Sequence, residues 1–509
     1  PITQLINDLR ADGWVVLRSD VSRTASVSSV RSTIQSYYNA DPANVKAVFL
    51  FGHVPVPYSG QLNPDGHGDH SGAWPADGYY GEMNGTWTDN SVNTTSAQDT
   101  RNRNTPGDGK FDQSDYPSTL ELQVGRVDLW NMESFQYYLG QSEQTLLGNY
   151  LTKLHNFKIK QTTPTFRGAV FDNFEDLNIA GCGYRSISAN VGTANLTDFN
   201  PNGTPFGTSM NNQSYLWTYA AGGGTWISGS NIASTDELCT SVTWGGVFNM
   251  MMGSYFGDWD CQNNLMRGVL GRGAALANCF AAIPNVWFHH MGMGDNIGYS
   301  MWASMNNGSV YAPQSCGYTG GSYNRVHMGL LGDPSLRQVM VNMPSNLQVT
   351  NSGGHPNFTW TAAGGSPLGY HIYDMGATTT TAPVRLTTSP VTGTSWTASS
   401  ATFVSGRQYM IRAVKLETAV TGTYYNMSLG AFGTASGQAS ADCLGVVGGT
   451  ATVGSSCNDN NACTASDVYN ASCQCAGTSI TPTATITAGG ATTVCSGGSV
   501  VLNASTGTG

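Results

Sequence analysis

Apolar residues in the first 340 positions alternate between the spacing of a helix face and short continuous runs. At the start, Ile2, Leu5 and Leu9 mark one helix face, and the run 14–17 predicts a buried strand after it. A long helix is predicted at 132–157. Further apolar runs that predict strands lie at 47–51, 120–124, 168–171, 215–221 and 246–252. This alternation predicts an α/β domain over 1–340, with a mostly parallel sheet covered on both faces.

A long polar segment from His53 to about Ser118 interrupts the alternation and is rich in Gly, Asp, Asn and Pro. It is far longer than the usual connections of a compact domain, so we expect it to be functional or fixed by a ligand. One hypothesis is that zinc (Zn2+) holds this loop, since His and carboxylate side chains are zinc ligands. The candidate ligands are His53, Asp65, His67, Asp69, His70 and Asp77. The alternative is that these side chains bond the backbone of the loop itself.

The pattern changes after residue 340. Residues 341–437 contain short strands between polar turns, a spacing typical of a β-sandwich, and resemble a fibronectin type III module. Residues 438–478 form a repeat rich in Cys, Asn and Asp. Residues 479–509 resemble the start of an Ig-like β domain that is cut short. We therefore expect a multidomain chain, an α/β domain followed by small β modules, and interpret it as a piece of a longer protein.

Composition favours an extracellular protein. Only 11% of the 509 residues are charged, while 63 are glycine, which is typical of loop-rich β proteins outside the cell. Six of the eleven cysteines lie beyond residue 440, which predicts a disulfide framework and an oxidising compartment. A net charge of −10 without a basic stripe argues against nucleic-acid binding. The sequence contains no run of about 18 apolar residues, which is the length that would predict a membrane span.

Four short motifs within 1–340 resemble those of the gingipain family of cysteine peptidases, whose fold is caspase-like. They are the strand at 48–51 ending in Gly52, Asp77-Gly-Tyr-Tyr80, Val124-Gly-Arg-Val127 and Gly332-Asp-Pro-Ser-Leu336. They occur in the same order as in the family. The resemblance implies a caspase-like α/β domain whose site lies at the ends of its central strands.

Active members of that family carry a His in a Gly-His-Gly loop after one central strand and a Cys after the next. Here Gly222 stands in the position of the His, and Ser254 stands in that of the Cys. The resemblance therefore implies a degenerate site, because a Ser without a base is a poor nucleophile. Another Gly-His-Gly, around His67, precedes Asp77 and Arg126 in the chain. We assign it to the long loop and not to catalysis.

A rearranged catalytic pair is the alternative to a degenerate site. Cys261 lies shortly after the degenerate position, and His289 and His290 follow it in the chain. The interpretation that we favour for Cys261 is a structural thiol or a disulfide partner of Cys239 or Cys279, since secreted cysteines usually pair.

Aromatic and acidic residues surround the degenerate site. Trp226, Tyr255 and Trp259, together with Asp258, could line a pocket for a sugar or peptide, since aromatic faces bind ligands without catalysis. The alternative is that the aromatic residues belong to the core. Asp258 and Asp260 could form the acid pair of a hydrolase or cap a helix.

Two acidic segments are candidate structural calcium (Ca2+) sites, because calcium prefers carboxylate and carbonyl oxygens. In the long loop Asp108, Asp112 and Asp115 are spaced as in a calcium loop, and an Asx turn explains them equally well. In the Cys-rich repeat, the segment with Asp459 and Asp467 resembles calcium-binding thrombospondin type 3 repeats. Disulfide formation is the stronger prediction for that repeat.

We favour a secreted cell-surface protein that is not an enzyme. In this hypothesis the gingipain-like domain is a scaffold for binding or assembly and the β modules form a stalk. Its partners are other surface proteins, cells, or further copies of the chain in a surface filament. The resemblance implies export by the type IX secretion system of Bacteroidetes. The alternatives are an active hydrolase, built on Ser254 or on a displaced cysteine dyad, and a carbohydrate-binding module.

Overall fold

A computed structural model of the chain describes residues 1–280, 286–308, 325–437, 441–446, 449–480, 485–493 and 495–504. Cys316 and residues 481–484 of the predicted Ig-like segment lie outside the described residues. The chain divides into two compact units. The first comprises Pro1–Ser345, Ala362–Thr392 and Met410–Ala431, and the second comprises Asn346–Thr361, Gly393–Tyr409 and Phe432–Gly509.

Helices and strands alternate through residues 1–345. The α-helices are α1 (Ile2–Ala11), α2 (Val27–Ala40), α3 (Glu133–Leu139), α4 (Glu143–Lys158), α5 (Leu177–Val191), α6 (Phe206–Ser209), α7 (Thr235–Thr240), α8 (Leu265–Gly271) and α9 (Ile297–Met305). The strands are β1 (Ala47–Phe51), β2 (Tyr58–Leu62), β3 (Gly72–Pro75), β4 (Gln123–Val127), β5 (Gly168–Asp172), β6 (Leu196–Phe199), β7 (Tyr215–Ala221), β8 (Ser228–Gly229), β9 (Ala233–Ser234), β10 (Gly246–Met252), β11 (Ala277–Phe280) and β12 (Leu330–Gly332). Short 3-10 helices lie at Gly68–His70, Asp77–Tyr80, Thr100–Asn102, Thr193–Asn195 and His289–Met293.

Eight of these strands form one sheet in the order β1-β4-β12-β11-β10-β7-β5-β6. Neighbouring strands are parallel except β11 and β12, which pair antiparallel, with Ala277 opposite Gly332. The mostly parallel sheet predicted for the α/β domain is confirmed. Because β5, β7 and β10 run side by side in the same direction, their carboxyl ends lie together at one edge of the sheet.

The centre of this sheet is buried because β7 and β10 are continuous apolar runs. Gly183 of α5 faces Tyr219 of β7, where a Cβ would lie 2.4 Å from the ring, so only glycine lets the helix approach this closely. Asn249 is buried within β10, donates to the Ala277 carbonyl at 2.9 Å and accepts from Trp244 Nε1 at 2.7 Å. These bonds compensate for the loss of water around the buried amide.

The helix predicted at 132–157 is two helices, α3 and α4, so that prediction was wrong. Gly140 ends α3 in the left-handed conformation, with φ 65°. Two residues later, the Ser142 side chain accepts from the Thr145 N–H at 3.2 Å and caps α4. A glycine C-cap followed at once by a serine N-cap stops one helix and starts another within an otherwise continuous apolar pattern.

Carboxylates bonded to backbone N–H groups hold the loop at 53–118. Asp112 accepts hydrogen bonds from three consecutive N–H groups, those of residues 90–92. Asp89 accepts from two glycine N–H groups within 107–109, both at 2.7 Å. Side-chain acceptors therefore satisfy much of the backbone in a segment that has little regular structure.

The remaining strands form small antiparallel sheets, as expected for β modules. They are β13 (Ser345–Ser352), β14 (His355–Thr361), β15 (Gly369–Asp374), β16 (Val384–Arg385), β17 (Ser395–Thr397), β18 (Gln408–Ala419), β19 (Gly422–Met427), β20 (Ala431–Thr434), β21 (Thr464–Tyr469), β22 (Cys475–Ser479), β23 (Ile486–Ala488) and β24 (Leu502–Ala504). One sheet has the order β13-β14-β17, another contains β16-β15-β18-β19, and two hairpins pair β21 with β22 and β23 with β24.

Two disulfides, Cys443–Cys473 and Cys457–Cys475, join the Cys-rich repeat, which confirms the predicted disulfide framework. Cys463 and Cys495 carry exposed free thiols. Across the described ranges, each helix is too short or too polar to cross a membrane.

Candidate active site

Ser254 lies just beyond the carboxyl end of β10, beside the carboxyl end of β7. Met252 of β10 pairs with Ala221 of β7, and the Gly222 N–H donates to the Met252 carbonyl at 3.0 Å. The two positions singled out in the sequence, Gly222 and Ser254, therefore follow adjacent strand ends. Ser254 is partly buried.

Two glycines of the turn after β7 have no room for a side chain. A Cβ on Gly222 would lie 2.8 Å from the Ser230 carbonyl, and a Cβ on Gly224 would lie 2.5 Å from the Phe256 ring. Both distances are shorter than real Cβ contacts, so position 222, where the resemblance expects the His, cannot carry one without a change in backbone.

A base reaches Ser254 from elsewhere. His67, in the loop between β2 and β3, places Nε2 2.8 Å from Ser254 Oγ. From the sequence we did not expect an imidazole beside Ser254, and we set His67 aside because of its place in the chain. Its early place in the chain does not matter, because the loop folds over the carboxyl ends of the central strands. The Gly-His-Gly motif was visible in the sequence, but its contact with a residue 187 positions away was not.

Asp65 joins the turn that carries His67 to the turn that carries Ser254. Its Oδ1 accepts from the His67 backbone N–H at 3.2 Å, and its Oδ2 accepts from the Tyr255 N–H at 3.0 Å. Tyr255 has a positive φ of 66°, which marks a sharp bend directly after Ser254. The His70 ring donates to Asp65 through Nδ1 at 2.6 Å.

His70 lies between two buried carboxylates. Its Nδ1 faces Asp65, and its Nε2 lies 3.4 Å from Asp258 Oδ2. Burial alone would lower the pKa of His70, but the bonds to Asp258 and Asp65 outweigh burial and raise the pKa. Because both ring nitrogens face acceptors, the ring is best satisfied as the doubly protonated cation.

Asp258 is held in the charged form by its neighbours. It accepts from Arg101 at 2.6 Å and from Trp226 Nε1 at 2.8 Å. Burial opposes its charge, yet the bonds from His70 and Arg101 lower the pKa of Asp258 to about 2. Asp258 is therefore an anchor for His70 and not a proton donor at neutral pH.

The predicted binding residues separate into two groups. The Trp226 and Tyr255 rings are 4.2 Å apart, and Tyr255 stacks on His67 with a centroid distance of 5.2 Å. Both lie partly exposed next to the Ser254 turn. Trp259 is instead buried, with the Arg126 guanidinium 5.1 Å above its ring, so it belongs to the core.

Cys261 carries a partly buried free thiol. Burial and the nearby Asp258 carboxylate raise the pKa of Cys261 to about 12, which keeps it protonated. Cys239 and Cys279 also carry free thiols, so the predicted disulfide with Cys261 is not present. A structural role for the Cys261 thiol stays a prediction.

His289 and His290 lie towards the amino ends of the strands, whereas Ser254 lies at their carboxyl ends. They follow Phe288, whose carbonyl accepts from Asn190 Nδ2 near the end of α5. That end of the helix is beside the first residue of β5, since a Cβ on Gly168 would lie 3.3 Å from Val191. The rearranged dyad with Cys261 is therefore not assembled.

The calcium candidates of the long loop bond separate partners. Asp108 accepts from the Lys110 N–H at 2.9 Å and from its ammonium at 3.2 Å, as in an Asx turn. Asp112 is occupied by the backbone N–H groups described above, and Asp115 lies 3.5 Å from Arg325. In the Cys-rich repeat, Asp467 accepts from the backbone N–H of Asp459 at 3.1 Å.

The zinc candidates also separate into different groups. Asp77 accepts from the buried Arg126 at 2.7 Å, and the His53 ring bonds Asp128 at 2.8 Å. In the part of the chain that the structure describes, no group of three or more His, Cys, Asp or Glu is arranged to hold a metal ion. Calcium and zinc binding stay predictions.

No protein-family model matches the sequence, and no curated protein matches it. Among solved structures the chain is similar to the Arg-specific cysteine proteinase gingipain R, with 11% identity and a TM-score of 0.45 over 85% of this chain and 94% of the other. It is similar to the complex of the Porphyromonas gingivalis RgpB pro- and mature domains, with 10% identity and a TM-score of 0.46 over 86% and 97%. A Fn3-like protein from Clostridium thermocellum matches 19% of this chain and 97% of its own, with 19% identity and a TM-score of 0.14. The interpretation of the site therefore rests on its own geometry.

Proposed function

We propose that the α/β domain is a hydrolase of the acyl-transfer class, with Ser254 as nucleophile and His67 as general base. The observation that supports this proposal best is the distance of 2.8 Å between His67 Nε2 and Ser254 Oγ. A serine hydroxyl becomes a useful nucleophile when a neighbouring imidazole accepts its proton. Both side chains are partly exposed, which gives a substrate carbonyl access to them.

The reaction follows from this pair. Ser254 Oγ attacks the carbonyl carbon of an ester or peptide bond while its proton passes to His67 Nε2. The protonated imidazole then donates that proton to the leaving alcohol or amine, which leaves an acyl group on Ser254. Water, deprotonated by the same imidazole, attacks the acyl group and restores the free hydroxyl. The adjacent Trp226 and Tyr255 rings, tilted at 31° to each other, provide an apolar surface beside the reacting atoms for part of the substrate.

We also propose that the protein works outside the cell, at a cell surface. The disulfides Cys443–Cys473 and Cys457–Cys475 support an oxidising compartment. Export by type IX secretion and a stalk built from the β modules remain part of this proposal, on the strength of the sequence resemblance alone.

A second candidate function is a scaffold without catalysis that binds surface proteins, cells or other copies of the chain. One observation favours it. In a serine triad a carboxylate bonds the second nitrogen of the base, whereas here the Asp65 carboxylate bonds the His70 ring and meets His67 only through its backbone N–H.

Labelling with a fluorophosphonate probe separates the two candidates. The wild-type chain should be labelled at Ser254 with one equivalent of probe, and Ser254→Ala should abolish labelling. His67→Gln should slow labelling by about 10²- to 10⁴-fold, since that is the usual contribution of a general base. Ser28→Ala, on the exposed face of α2, is the matched serine control. A folded wild-type chain that takes up no probe, with or without calcium, would exclude the hydrolase and leave the scaffold.

A further inference from the structure

A buried carboxylate connects the two halves of the proposed catalytic pair. The Asp65 side chain is fully buried and accepts from the backbone N–H of His67 and of Tyr255, the residues that carry or follow the reacting groups. Neither bond involves the reacting atoms of the pair. Asp65 can therefore influence the reaction only by fixing where the two turns lie relative to each other.

His70 fixes Asp65 in turn. Its ring is almost fully buried and spans Asp65 and Asp258. Asp258 belongs to the segment after β10 and is itself bonded by Arg101 and Trp226. A continuous series of charged hydrogen bonds thus runs from the loop, through His70, to the segment that carries Ser254. The bond from His70 to Asp65 is short, at 2.6 Å, and the contact with Asp258 is longer, at 3.4 Å. Charge strengthens such hydrogen bonds in a dry site.

The groups around His70 leave the ring little freedom. Trp74 lies against it at a centroid distance of 4.3 Å, and Tyr255 lies at 4.5 Å from another side. The Trp226 ring lies edge-on to it, with 5.9 Å between the ring centroids. The ring therefore cannot turn towards Ser254, and its two nitrogens remain directed at the two carboxylates. This arrangement suits a fixed support and not a second base.

We propose that Asp65 and His70 are positioning residues for the reaction of Ser254 with His67. They hold the loop at the strand end and thereby set the distance between His67 Nε2 and Ser254 Oγ. The inference rests on the proposed hydrolase, because positioning has a chemical effect only if the pair reacts. It adds to that proposal two residues of the loop that hold the reacting side chains in place.

The test compares Asp65→Asn and His70→Gln with a matched control. Asp65→Asn keeps the size of the side chain but replaces one of its two acceptors by an amide N–H, so either the His67 or the Tyr255 backbone N–H loses its acceptor. Asp89→Asn is the control, because Asp89 also accepts from two backbone N–H groups of the same loop but bonds the 107–109 turn. Asp65→Glu keeps the charge and serves as the conservative variant.

The first measurement is the rate of fluorophosphonate labelling as a function of probe concentration, in the full chain. We expect Asp65→Asn and His70→Gln to lower the maximal rate by about 10- to 100-fold, since a misplacement of about 1 Å costs that much. The probe concentration at half-maximal rate should change by less than about two-fold, because ground-state binding does not use these groups. Asp65→Glu should recover part of the rate, and Asp89→Asn should label as the wild type does. Wild-type rates in both Asp65→Asn and His70→Gln would overturn the inference.

Amide hydrogen exchange of the Tyr255 N–H is the second measurement and needs no reactivity. Asp65→Asn should speed exchange at Tyr255 and in peptides covering 63–71, and Asp89→Asn should not. If the wild-type chain takes up no probe, the hydrolase proposal fails, and the exchange result alone decides whether Asp65 holds the two turns together. Unchanged exchange in Asp65→Asn would overturn the inference in either case.

Discussion

Ser254 Oγ and His67 Nε2 lie 2.8 Å apart, although 187 positions of chain separate the two residues. The contact pairs an alcohol with an imidazole at the carboxyl end of a central strand. An imidazole in that position can act on any acidic group placed on the side chain of residue 254. The geometry can therefore be tested without knowledge of the natural substrate.

Ser254→Cys should create a reactive thiol. A thiol has a pKa near 8.5, and a neighbouring imidazole stabilises its thiolate as an ion pair. We expect iodoacetamide at pH 7 to modify the introduced thiol at least about 10-fold faster than the exposed Cys463. Mass spectrometry of the modified peptides gives both rates. Adding His67→Ala should remove the difference, and a persistent difference would show that the imidazole is not responsible.

Cys261 should remain unmodified under the same conditions. Burial and the Asp258 carboxylate raise the pKa of Cys261 to about 12, so almost no thiolate exists at pH 7. Peptide mapping after iodoacetamide treatment of the native chain should find Cys463 modified and Cys261 intact. In guanidinium chloride both should react at similar rates. Fast labelling of Cys261 in the native chain would revive the displaced cysteine dyad.

The bridge between His70 and its two carboxylates predicts how stability depends on pH. The pKa of His70 is raised, so its contribution is complete below its ordinary value of about 6.5 and is lost as the pH rises through the raised value. The pKa of Asp258 is lowered to about 2, so its contribution is complete above about 3.9 and is lost as the pH falls towards 2. The difference in Tm between the wild type and His70→Gln should therefore be largest between about pH 4 and 6.5.

His371 provides a control, because its effect on stability should change with pH in the opposite direction to that of His70. Burial, with a smaller contribution from Arg385, lowers the pKa of His371, so the fold prefers its neutral form. The wild type should lose stability relative to His371→Gln as the pH falls below about 6.5. Thermal unfolding of both variants across pH 3 to 9, followed by circular dichroism, gives the two curves. Parallel curves would contradict the assignment of charge to His70.

Asp12 should be one of the most sensitive positions of the first unit. Its Oδ1 accepts from Arg337 at 2.7 Å and from Arg412 at 3.0 Å, and all three side chains are largely buried. Asp12→Ala would leave two buried guanidinium groups without their counter-ion, at a cost of about 3 to 5 kcal/mol in the free energy of unfolding. Urea denaturation measures this loss. Asp20→Asn, which breaks the exposed pair with Arg18, should cost less than about 1 kcal/mol.

The sequence predicted most elements whose signal is local, but the strand predicted from the run 14–17 was wrong, since these residues form no strand and Val15 and Leu17 are exposed. The apolar runs at 215–221 and 246–252 are the central strands, because a fully buried parallel strand has no polar face to interrupt it. The position of Ser254 beyond the second run followed from the same pattern. By contrast β12, with three residues, is too short to show a period. Its antiparallel pairing with β11 depends on contacts between distant parts of the chain.

The base was missed for a physical reason. His67 lies in a loop without periodicity, and chain order says nothing about where such a loop folds. The sequence did contain a signal for a polar site, because Asp65, His67 and His70 are three hydrogen-bonding side chains within one short segment. The sequence alone left them as metal ligands or as partners of the loop backbone. Only the folded arrangement shows that His70 faces Asp258 and that Asp65 accepts from the Tyr255 N–H.

His67 reaches its partner from a loop, whereas Ser254 is fixed by the strands beneath it. The same loop also supplies core residues, since the Trp74 and Tyr80 side chains within it are fully buried. A newly made chain whose loop has not yet docked would therefore lack both the imidazole and part of the buried apolar surface. Its reactivity and its full stability would arise in the same step.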